Sequence, residues 1–553
     1  MSQPLEKADS KAPAAVDEAL AAQEGRLDPK QEGVSTAYEL KCLVVNDVLQ
    51  RQIGMGRYQW ELFVLSGWGW MADNIWLQGI AIILPEVQRE LIPTTNTSLH
   101  VEFATLSLYV GLILGATTWG ILSDIIGRRL SWNITLFIAG VFGIAAGASP
   151  TMVALCFLSG CIGFGVGGNL PVDGALFLEF IPQSHQPLLT LLSAWWSLGQ
   201  LVASLVAWPF IIRFSCDPTA LTCSRAENPG WRYTFYTLGA LTFFMFVIRY
   251  FVFNLQESPK YLIAHGRDEE AVAVLHYVAK VNKVELNLSA DDLRKAVAAE
   301  LGPQAVDSRP AKSNWQVVRE GMTSFDLSHV RPLFQTTRLA INTSLVIWIW
   351  GCLGLAYPLY NGFVTLYLTD AGAAFGDTSL NTTYRNYAIF SIMGIPGSLI
   401  ACLLVEWKSR WAFGGRKFAM AISTLLSGLF LFLFTTAKNE PAILGWNCAT
   451  ALVENAMYGV LYAYTPEVFP GPHRGTGDGL ASCFNRICGL MAPIIKCVVS
   501  LPLRLSIVLI EMDRIYAGAA NASAPIFVSA SLFVVASISM LLLPIETAGK
   551  AAM

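Results

Sequence analysis

Apolar blocks of about 20 residues recur along this chain, and that length crosses a hydrocarbon core roughly 30 Å thick. Because a lone strand cannot satisfy its backbone hydrogen bonds in lipid, each block predicts a helix. The pattern predicts an all-α integral membrane protein with twelve transmembrane helices. The predicted spans are 60–87, 101–123, 131–149, 151–180, 188–212, 232–253, 339–368, 385–407, 417–437, 441–468, 477–501 and 524–544.

A long polar stretch divides these blocks six and six and predicts two halves. The predicted units are an N-terminal tail (1–59), a first six-helix bundle (60–253), a linker (254–338), a second six-helix bundle (339–544) and a C-terminal tail (545–553). The N-terminal tail lacks a basic-then-apolar leader, so we expect no removed signal peptide.

Two short motifs recur at one spacing. The pattern E-x-x-P-x-x-H starts at Glu179 and at Glu467, an offset of 288 residues (467 − 179). A glycine followed by two basic residues starts at Gly127 and at Gly415 with the same offset (415 − 127). A duplicated six-helix unit accounts for both matches. Transporters built from such repeats bind substrate near the bilayer midplane between the halves.

Composition supports lipid as the solvent, because 54% of the residues are hydrophobic and only 14% are charged. Short cytoplasmic loops retain Lys and Arg, which predicts cytoplasmic N- and C-termini. We expect the membrane to be the plasma membrane. Outer loops then hold the glycosylation sequons at Asn96, Asn381 and Asn521, and they also hold Cys216 and Cys223, whose pairing in a disulfide stays open. The basic residues of the predicted inner loops are Arg128, Arg129, Lys408, Arg410, Arg416, Lys417 and Arg474.

Charged side chains inside the spans are few, and each costs about 2.5 to 3.5 kcal/mol at a helix centre on insertion scales. A carboxyl group in a low-dielectric cavity can bind a proton and release it when water enters. We predict proton coupling by Asp73 first, Asp173 second and Glu454 third. Two alternatives stay open: an ion pair, for instance with Lys496, or a neutral carboxyl group hydrogen-bonded between helices.

Polar and aromatic side chains near these acids predict a substrate pocket. Asn361 corresponds to Asp73 by the repeat offset (361 − 73), which places polar groups at equivalent depths in both halves. For the aromatic residues, packing is the competing interpretation. The predicted substrate-binding residues are Asn74, Gln78, Asn169, Trp195, Gln200, Tyr357, Tyr360, Asn361, Asn455 and Tyr458, with Trp196 beside them.

Other classes of function find no support in the sequence. The chain has no metal-binding spacing of Cys and His, no nucleotide-binding lysine loop and no nucleophile elbow, so we expect neither an enzyme nor a cofactor. Scattered basic residues leave no footprint for nucleic acid. The glycine-rich run 163–168 lies inside a predicted helix, where it favours close helix packing over phosphate binding.

The loop 120–129 reads G-I-L-S-D-I-I-G-R-R and resembles the loop signature of the major facilitator superfamily. Segments 257–262 and 466–470 resemble those of its sugar porters at the same places. Segment 54–60 is similar to the synaptic vesicle glycoprotein 2 branch, and 167–173 is similar to fungal relatives of that branch.

The resemblance implies two pseudo-symmetric six-helix bundles and alternating access, often coupled to protons. It also implies two cytoplasmic charge networks that close the cavity on that side, although the loop arginines could instead chiefly fix topology. The implied gate residues are Asp124, Arg128, Arg129, Glu179, Glu406, Arg416, Lys417, Glu467 and Arg474.

Three departures from the family pattern bear on the substrate. Ser159 stands where many relatives carry an arginine, which weakens the case for anions, and Trp76 stands where vesicle-protein relatives carry an acid, which weakens the case for cations. The seventh helix also lacks the glutamine-rich stretch by which sugar porters bind hexoses.

We therefore expect a monomeric secondary transporter of a small organic solute, coupled to protons. The alternatives are a proton antiporter that exports a metabolite or drug, and a membrane receptor that keeps the transporter fold without transporting.

Overall fold

The computed structural model describes residues 36–95, 100–185, 188–216, 223–301, 330–365, 367–368, 380–406, 415–469, 474–500 and 520–546. Within these ranges the chain is helical and contains no strand. The twelve membrane helices are Arg57–Thr95, Glu102–Ile126, Arg128–Gly147, Met152–Phe180 (in two segments), Leu188–Phe214 (in two segments), Gly230–Val252, Thr337–Asn361, Leu380–Glu406, Arg416–Thr435, Glu440–Val468, Arg474–Ser500 and Ala520–Leu541.

The fourth membrane helix is broken near its middle. Its first segment, Met152–Val166, ends at Gly167, and its second segment, Asn169–Phe180, begins after Gly168. Pro171 contributes to the break because it has no N–H group to donate to the carbonyl of Gly167, four residues earlier. The helix therefore presents, in the middle of the protein, a carbonyl group without an intrahelical donor.

Eight of the described membrane helices are apolar and long enough to cross a bilayer by composition alone. The first, fourth, tenth and eleventh helices are not among them, because they are more polar or, in the fourth, interrupted. Polar side chains are tolerated at membrane depth where they face protein or a cavity rather than lipid. These four helices carry the buried charged residues Asp73, Asp173, Glu454 and Arg486.

Part of the predicted N-terminal tail is folded. Helix Thr36–Asp47 and a π-helical turn, Val48–Ile53, precede the first membrane helix and pack on the linker helices Pro259–Ala264, Asp268–Val281 and Ala290–Leu301. The Nζ of Lys41 lies 2.5 Å from the Oδ2 of Asp268. Apolar residues of both segments form one cluster with the first half. We call the membrane face that holds these helices the linker face and the opposite one the distal face.

Small residues let the second and fourth membrane helices approach closely. A Cβ atom added at Gly163 would lie 2.3 Å from the carbonyl oxygen of Leu108, and one added at Gly167 would lie 2.5 Å from that of Leu112. The glycine-rich run thus packs against a neighbouring backbone, as expected from its place inside a helix.

A buried ion pair between Asp173 and Arg249 holds the first half together. Both side chains are fully buried, and Nη2 of Arg249 donates to Oδ2 of Asp173 at 3.0 Å. The guanidinium group also donates to the carbonyls of Leu65 and Trp132 and lies 4.0 Å from the centre of the Trp132 ring. The pair therefore connects the first, third, fourth and sixth membrane helices.

We expect Gly69→Ala to destabilise the protein. The added Cβ would lie 1.5 Å from Oδ2 of Asp173 and 2.8 Å from Nη2 of Arg249, so that the ion pair would have to separate. Breaking a buried pair costs about 3 to 5 kcal/mol. The measurement is the fraction of detergent-solubilised protein that stays monodisperse after heating.

Gly445→Ala is the matched control, because a Cβ added at Gly445 meets no described atom within 4 Å. We expect this variant to melt at or above the temperature of the parent, since alanine favours a helix. Equal melting temperatures for Gly69→Ala and Gly445→Ala would contradict the role given to the Asp173–Arg249 pair.

Candidate functional site

A cavity of about 60 Å³ lies between the two halves. This volume holds only a few water molecules, so a solute with a ring needs a wider cavity than the closed one. Aromatic rings form much of the wall, and Asp73 and Arg486 are its charged residues. The lining residues from the first half are Asp73, Leu77, Tyr109, Leu112, Leu170 and Trp196, and those from the second half are Leu353, Gly354, Tyr357, Pro358, Tyr458, Tyr462, Ser482, Asn485 and Arg486.

Asp73 lines this cavity from the middle of the first membrane helix. Only 2% of its surface is exposed, and its Oδ2 accepts a hydrogen bond from Nε1 of Trp196 at 3.0 Å. Its Oδ1 is buried and has no hydrogen-bond partner among the described residues. An unpaired buried carboxylate oxygen is costly, so this atom is suited to bind a proton or a donor group of a ligand.

Asn74 and Gln78 lie one turn apart and brace the first membrane helix rather than line the cavity. Nδ2 of Asn74 donates to the carbonyl of Trp196 at 2.7 Å, and Nε2 of Gln78 donates to Oδ1 of Asn74 at 3.3 Å. Nε2 of Gln78 also donates to the hydroxyl of Tyr357 at 3.0 Å. These amides therefore link the first membrane helix to Trp196 of the first half and to Tyr357 of the second half, outside the cavity.

Glu454 and Asn361 form a separate polar pair inside the second half. Both residues are buried, and Nδ2 of Asn361 donates to the two carboxylate oxygens of Glu454 at 3.0 and 3.3 Å. Neither residue lines the central cavity. Asn361 is the repeat counterpart of Asp73, but its amide donates to Glu454 and does not line the cavity.

The remaining predicted pocket residues lie behind the cavity wall. Asn169 donates to the carbonyl of Gly69 at 3.4 Å, Asn455 accepts from Ser197 at 2.8 Å, and Tyr360 donates to Asn447. Trp195 packs against Phe63, and Gln200 is buried without lining the cavity. Of the predicted set, Tyr357 and Tyr458 line the cavity directly, together with the adjacent Trp196.

The structure places Asp173, the second predicted proton-coupling group, in an ion pair away from the cavity. Its carboxylate is held by Arg249 within one half, which is the structural ion pair left open by the sequence, although the partner is not Lys496. The side chain of Lys496 lies outside the described residues. Asp73 is the one of the three candidate acids that reaches the cavity.

Arg486 is the charged cavity residue that sequence reasoning missed. It lies in the eleventh membrane helix with 6% of its surface exposed, and its Nη1 donates to the carbonyls of Leu112 at 2.7 Å and Gly167 at 2.9 Å. Its repeat counterpart is Leu198 (486 − 288), so a search for matched polar pairs passes over it. An isolated basic residue inside an apolar span was the available signal.

On the distal side of the cavity, hydroxyl groups of the second half bind the first membrane helix. Thr365 donates to the carbonyl of Ala81, and Tyr384 donates to that of Ile82 at 3.0 Å. Tyr387 donates to Oε1 of Gln78. We call the three donors Thr365, Tyr384 and Tyr387 the distal latch, because they hold the halves together on this side.

Proline chemistry explains why the latch binds where it does. Pro85 lies inside the first membrane helix and has no N–H group, so the carbonyl of Ala81 loses its intrahelical donor. A buried carbonyl without a partner is costly, and Thr365 supplies the missing hydrogen bond from the other half. The carbonyl of Ala81 is thus a binding site on the first membrane helix for a side chain of the second half.

On the linker face, Glu257 binds the start of the third membrane helix. Its carboxylate accepts from the backbone N–H groups of Arg128 at 2.9 Å and Arg129 at 3.3 Å, while the side chain of Arg128 pairs with Glu179 at 3.1 Å. Gly127, at φ +97°, permits this approach because a Cβ atom there would lie 2.4 Å from Oε2 of Glu257. Burial raises the pKa of Glu257, and the backbone N–H groups oppose this shift.

The second half repeats this arrangement. Glu546 accepts from the backbone N–H groups of Arg416 at 3.1 Å and Lys417 at 3.3 Å, and Gly415 has φ +102°. The side chain of Arg416 pairs with Glu467. Two equivalent networks thus lie on one face, and each joins neighbouring helices of the same half.

Several predicted residues fall outside this description. The side chains of Asp124, Glu406 and Arg474 lie outside the described residues, as do Asn96 and the side chain of Asn521. Asn381 is exposed at the start of the eighth membrane helix and accepts from Nε1 of Trp208 at 3.0 Å, and its glycosylation stays a prediction. Cys216 and Cys223 form a disulfide.

Comparison with known proteins agrees with the loop signature. The family model of the Major Facilitator Superfamily matches residues 62–493. The chain is 44% identical over 530 residues to MFS siderochrome iron transporter 1 of Ceriporiopsis subvermispora (strain B), which covers 96% of this chain and 94% of that relative. It is 27% identical over 552 residues to the synaptic vesicle 2-related protein of Xenopus laevis, covering 96% and 86%.

The fold is similar to that of the proton:xylose symporter XylE, solved with bound 6-bromo-6-deoxy-D-glucose. The TM-score is 0.61 at 16% sequence identity, and the match covers 90% of this chain and 98% of that structure. At this identity the likeness concerns the fold and leaves the ligand open.

We expect Thr365→Val to favour separation of the halves on the distal side. The nearly isosteric change removes the donor to Ala81, and a net hydrogen bond of about 0.5 to 1.5 kcal/mol corresponds to a roughly two- to tenfold change in the open population. The measurement is the labelling rate of Leu77→Cys, on the cavity wall, by a membrane-impermeant maleimide in a background without other reactive cysteines.

Two variants control this experiment. Thr237→Val removes a hydroxyl that donates within its own helix, to Tyr233, so labelling should not change. Pro85→Ala supplies an intrahelical N–H donor for Ala81, so Thr365→Val should have a smaller effect in that background. Identical labelling rates for Thr365→Val and the parent would refute the latch.

Proposed function

The chain belongs to the major facilitator superfamily, and we propose that it is a proton-coupled secondary transporter that moves a small organic solute by alternating access to the central cavity. Membership makes it a multi-pass membrane transporter rather than an enzyme. The observation that carries the proton-coupled part is Asp73, whose unpaired carboxylate oxygen lies at the cavity between the halves.

The coupling step follows from the surroundings of Asp73. In the closed cavity its carboxyl group is out of water, and desolvation favours the neutral, protonated form. When the cavity opens to water on one side, the charged form gains solvation and the proton can leave. Proton exchange therefore follows the side to which the cavity opens, which is what coupling requires.

We assign the linker face to the cytoplasm of a plasma-membrane protein. The basic residues of the short loops, Arg128, Arg129, Arg416 and Lys417, lie on this face together with the two glutamate-bound networks. Short cytoplasmic loops retain such residues. The networks then support the cytoplasmic gate by fixing the helix ends within each half, and the distal latch is the extracellular gate. The bundles 60–253 and 339–544 are the units that move.

Each chain contains both halves and the central cavity between them, so we propose that the transporter acts as a monomer. The test is an uptake and release panel by mass spectrometry in a transporter-poor host, with and without a protonophore. Accumulation that collapses with the protonophore supports the proposal. Proton-driven extrusion would establish the exporter instead, and no flux of any solute in either direction would favour a receptor.

We expect Asp73→Asn to abolish gradient-driven accumulation while exchange of solute across the membrane persists. The amide keeps the size of the side chain and its hydrogen bond to Trp196, but it cannot bind and release a proton. The measurement is the accumulation ratio in proteoliposomes with an imposed pH gradient, alongside counterflow at equal pH.

Asp291→Asn is the matched control, because Asp291 lies exposed on a linker helix, with 72% of its side chain accessible. It should leave both accumulation and counterflow unchanged. A normal accumulation ratio in Asp73→Asn would remove Asp73 from the coupling mechanism.

A further inference from the structure

The buried cation of the cavity, Arg486, has no anionic partner in direct contact. Among the described residues, no carboxylate lies within 4.0 Å of its guanidinium group, and its hydrogen bonds run from Nη1 to two main-chain carbonyls. A guanidinium group carries five N–H donors, so most of its donor capacity is not used by these two bonds. A charge at this depth is kept for a purpose, because its insertion is costly.

The two carbonyls that bind Arg486 hold it in place without neutralising it. Gly167 ends the first segment of the fourth membrane helix, and Pro171 removes the N–H group that would otherwise bind its carbonyl. A helix C-terminus also carries a partial negative charge of about half an electron. The guanidinium group is therefore oriented by dipoles from the first half, while its full positive charge persists at the cavity.

The charges around the cavity then depend on Asp73. Asp173 and Arg249 neutralise each other outside the cavity lining. The titratable and charged groups that line the cavity with Asp73 are Arg486 from the eleventh membrane helix, Tyr109 from the second, Tyr357 from the seventh, and Tyr458 and Tyr462 from the tenth. An ionised Asp73 balances Arg486. A protonated Asp73 leaves one positive charge in a cavity with little water.

We propose that the transported solute is a small organic carboxylate with a flat, unsaturated body, and that Arg486 binds its carboxylate while Asp73 is protonated. This rests on the proposed transport function and names the substrate class of the same site. A planar guanidinium fork matches a carboxylate, and the flat faces of Tyr357, Tyr458 and Trp196 suit a ring. The solute and the proton then bind together and restore the neutrality of the cavity.

The inference reverses an expectation from the sequence. The absence of an arginine at Ser159 of the fourth membrane helix weakens the case for anions only if no other basic residue reaches the cavity. Arg486 reaches the cavity from the eleventh helix and contacts the fourth through Gly167. The positive charge is thus present at the site, supplied by the other half.

The test is ligand-induced thermal stabilisation of the purified full-length protein, measured at pH 5.5 and pH 7.5. The probes are benzoate and pyridine-3-carboxylate, each with its amide and its aminomethyl analogue, so that shape is kept while charge changes. We expect the carboxylates to stabilise the protein, more strongly at the lower pH, and the amides and amines not to do so. Stabilisation by the amines or amides at least equal to that by the carboxylates, or none by either carboxylate at millimolar concentration, overturns the proposal.

Arg486→Gln should lower carboxylate affinity about ten- to hundredfold, the range for a lost charged hydrogen bond. Arg486→Lys keeps the charge but not the fork, so it should keep the preference for carboxylates with weaker binding. Arg213→Gln, outside the cavity, should bind as the parent does. If Arg486→Gln fails to fold, the lysine variant decides the question: a preference lost in Arg486→Lys, or unchanged affinity in either variant that folds, refutes the assignment.

Asp73→Asn separates this inference from the proposed proton coupling. The amide resembles the protonated acid, so we expect this variant to bind the carboxylates with parental low-pH affinity and to lose the pH dependence. Carboxylate binding without proton-driven uptake in the parent would refute the coupling and keep the substrate class. Proton-driven uptake that carries only neutral or cationic solutes would keep the coupling and refute the substrate class.

Discussion

Inside a membrane, water cannot supply the hydrogen bond that a buried carbonyl, amide or carboxylate group lacks. This constraint determines how the side chains at the centre of the protein are arranged. Two prolines create such groups by withholding an N–H from the helix ladder, Pro85 at the carbonyl of Ala81 and Pro171 at that of Gly167. In both cases the missing donor comes from the other half, from Thr365 and Arg486 respectively. Two of the contacts between the halves are thus built on local defects of single helices, and such contacts can break without unfolding either half.

The two halves carry equivalent residues where they have the same structural role, and they carry different residues where their roles differ. Gly127 and Gly415 share a positive φ and a glutamate that binds the start of the following helix. The ion pairs of Arg128 and Arg416 are equivalent as well. At the cavity the symmetry ends, because Asp73 corresponds to Asn361 and Arg486 to Leu198. The two halves need similar contacts where their helix ends are held, whereas the single cavity needs only one acid and one cation.

Much of the fold could be predicted from the sequence, because a membrane span is a local property. Apolar blocks, charge placement and the loop signature are enough for twelve helices in two halves, and they identify Asp73 as the acid of the first helix. The pairing of side chains could not be predicted in this way. Asp173 and Asp73 look alike along the chain, and only the arrival of Arg249 from the sixth membrane helix distinguishes a structural ion pair from a cavity acid. The role of Arg486 likewise depends on which face of its helix meets the first half.

The position of Arg486 joins ligand binding to movement. The guanidinium group is anchored to the carbonyls of Leu112 and Gly167 on the first half, while its helix belongs to the second. A carboxylate bound to the N–H groups that these carbonyls leave free attracts the guanidinium group away from them, because an ionised acceptor binds a guanidinium more strongly than a neutral one. In the proposed cycle, ligand binding weakens the contacts of Arg486 with the first half, while the distal latch involves different residues on the first helix. A bound ligand can therefore weaken some contacts between the halves and leave others intact. An alternating-access cycle requires such a difference, because the cavity must open on one side while the other side stays closed.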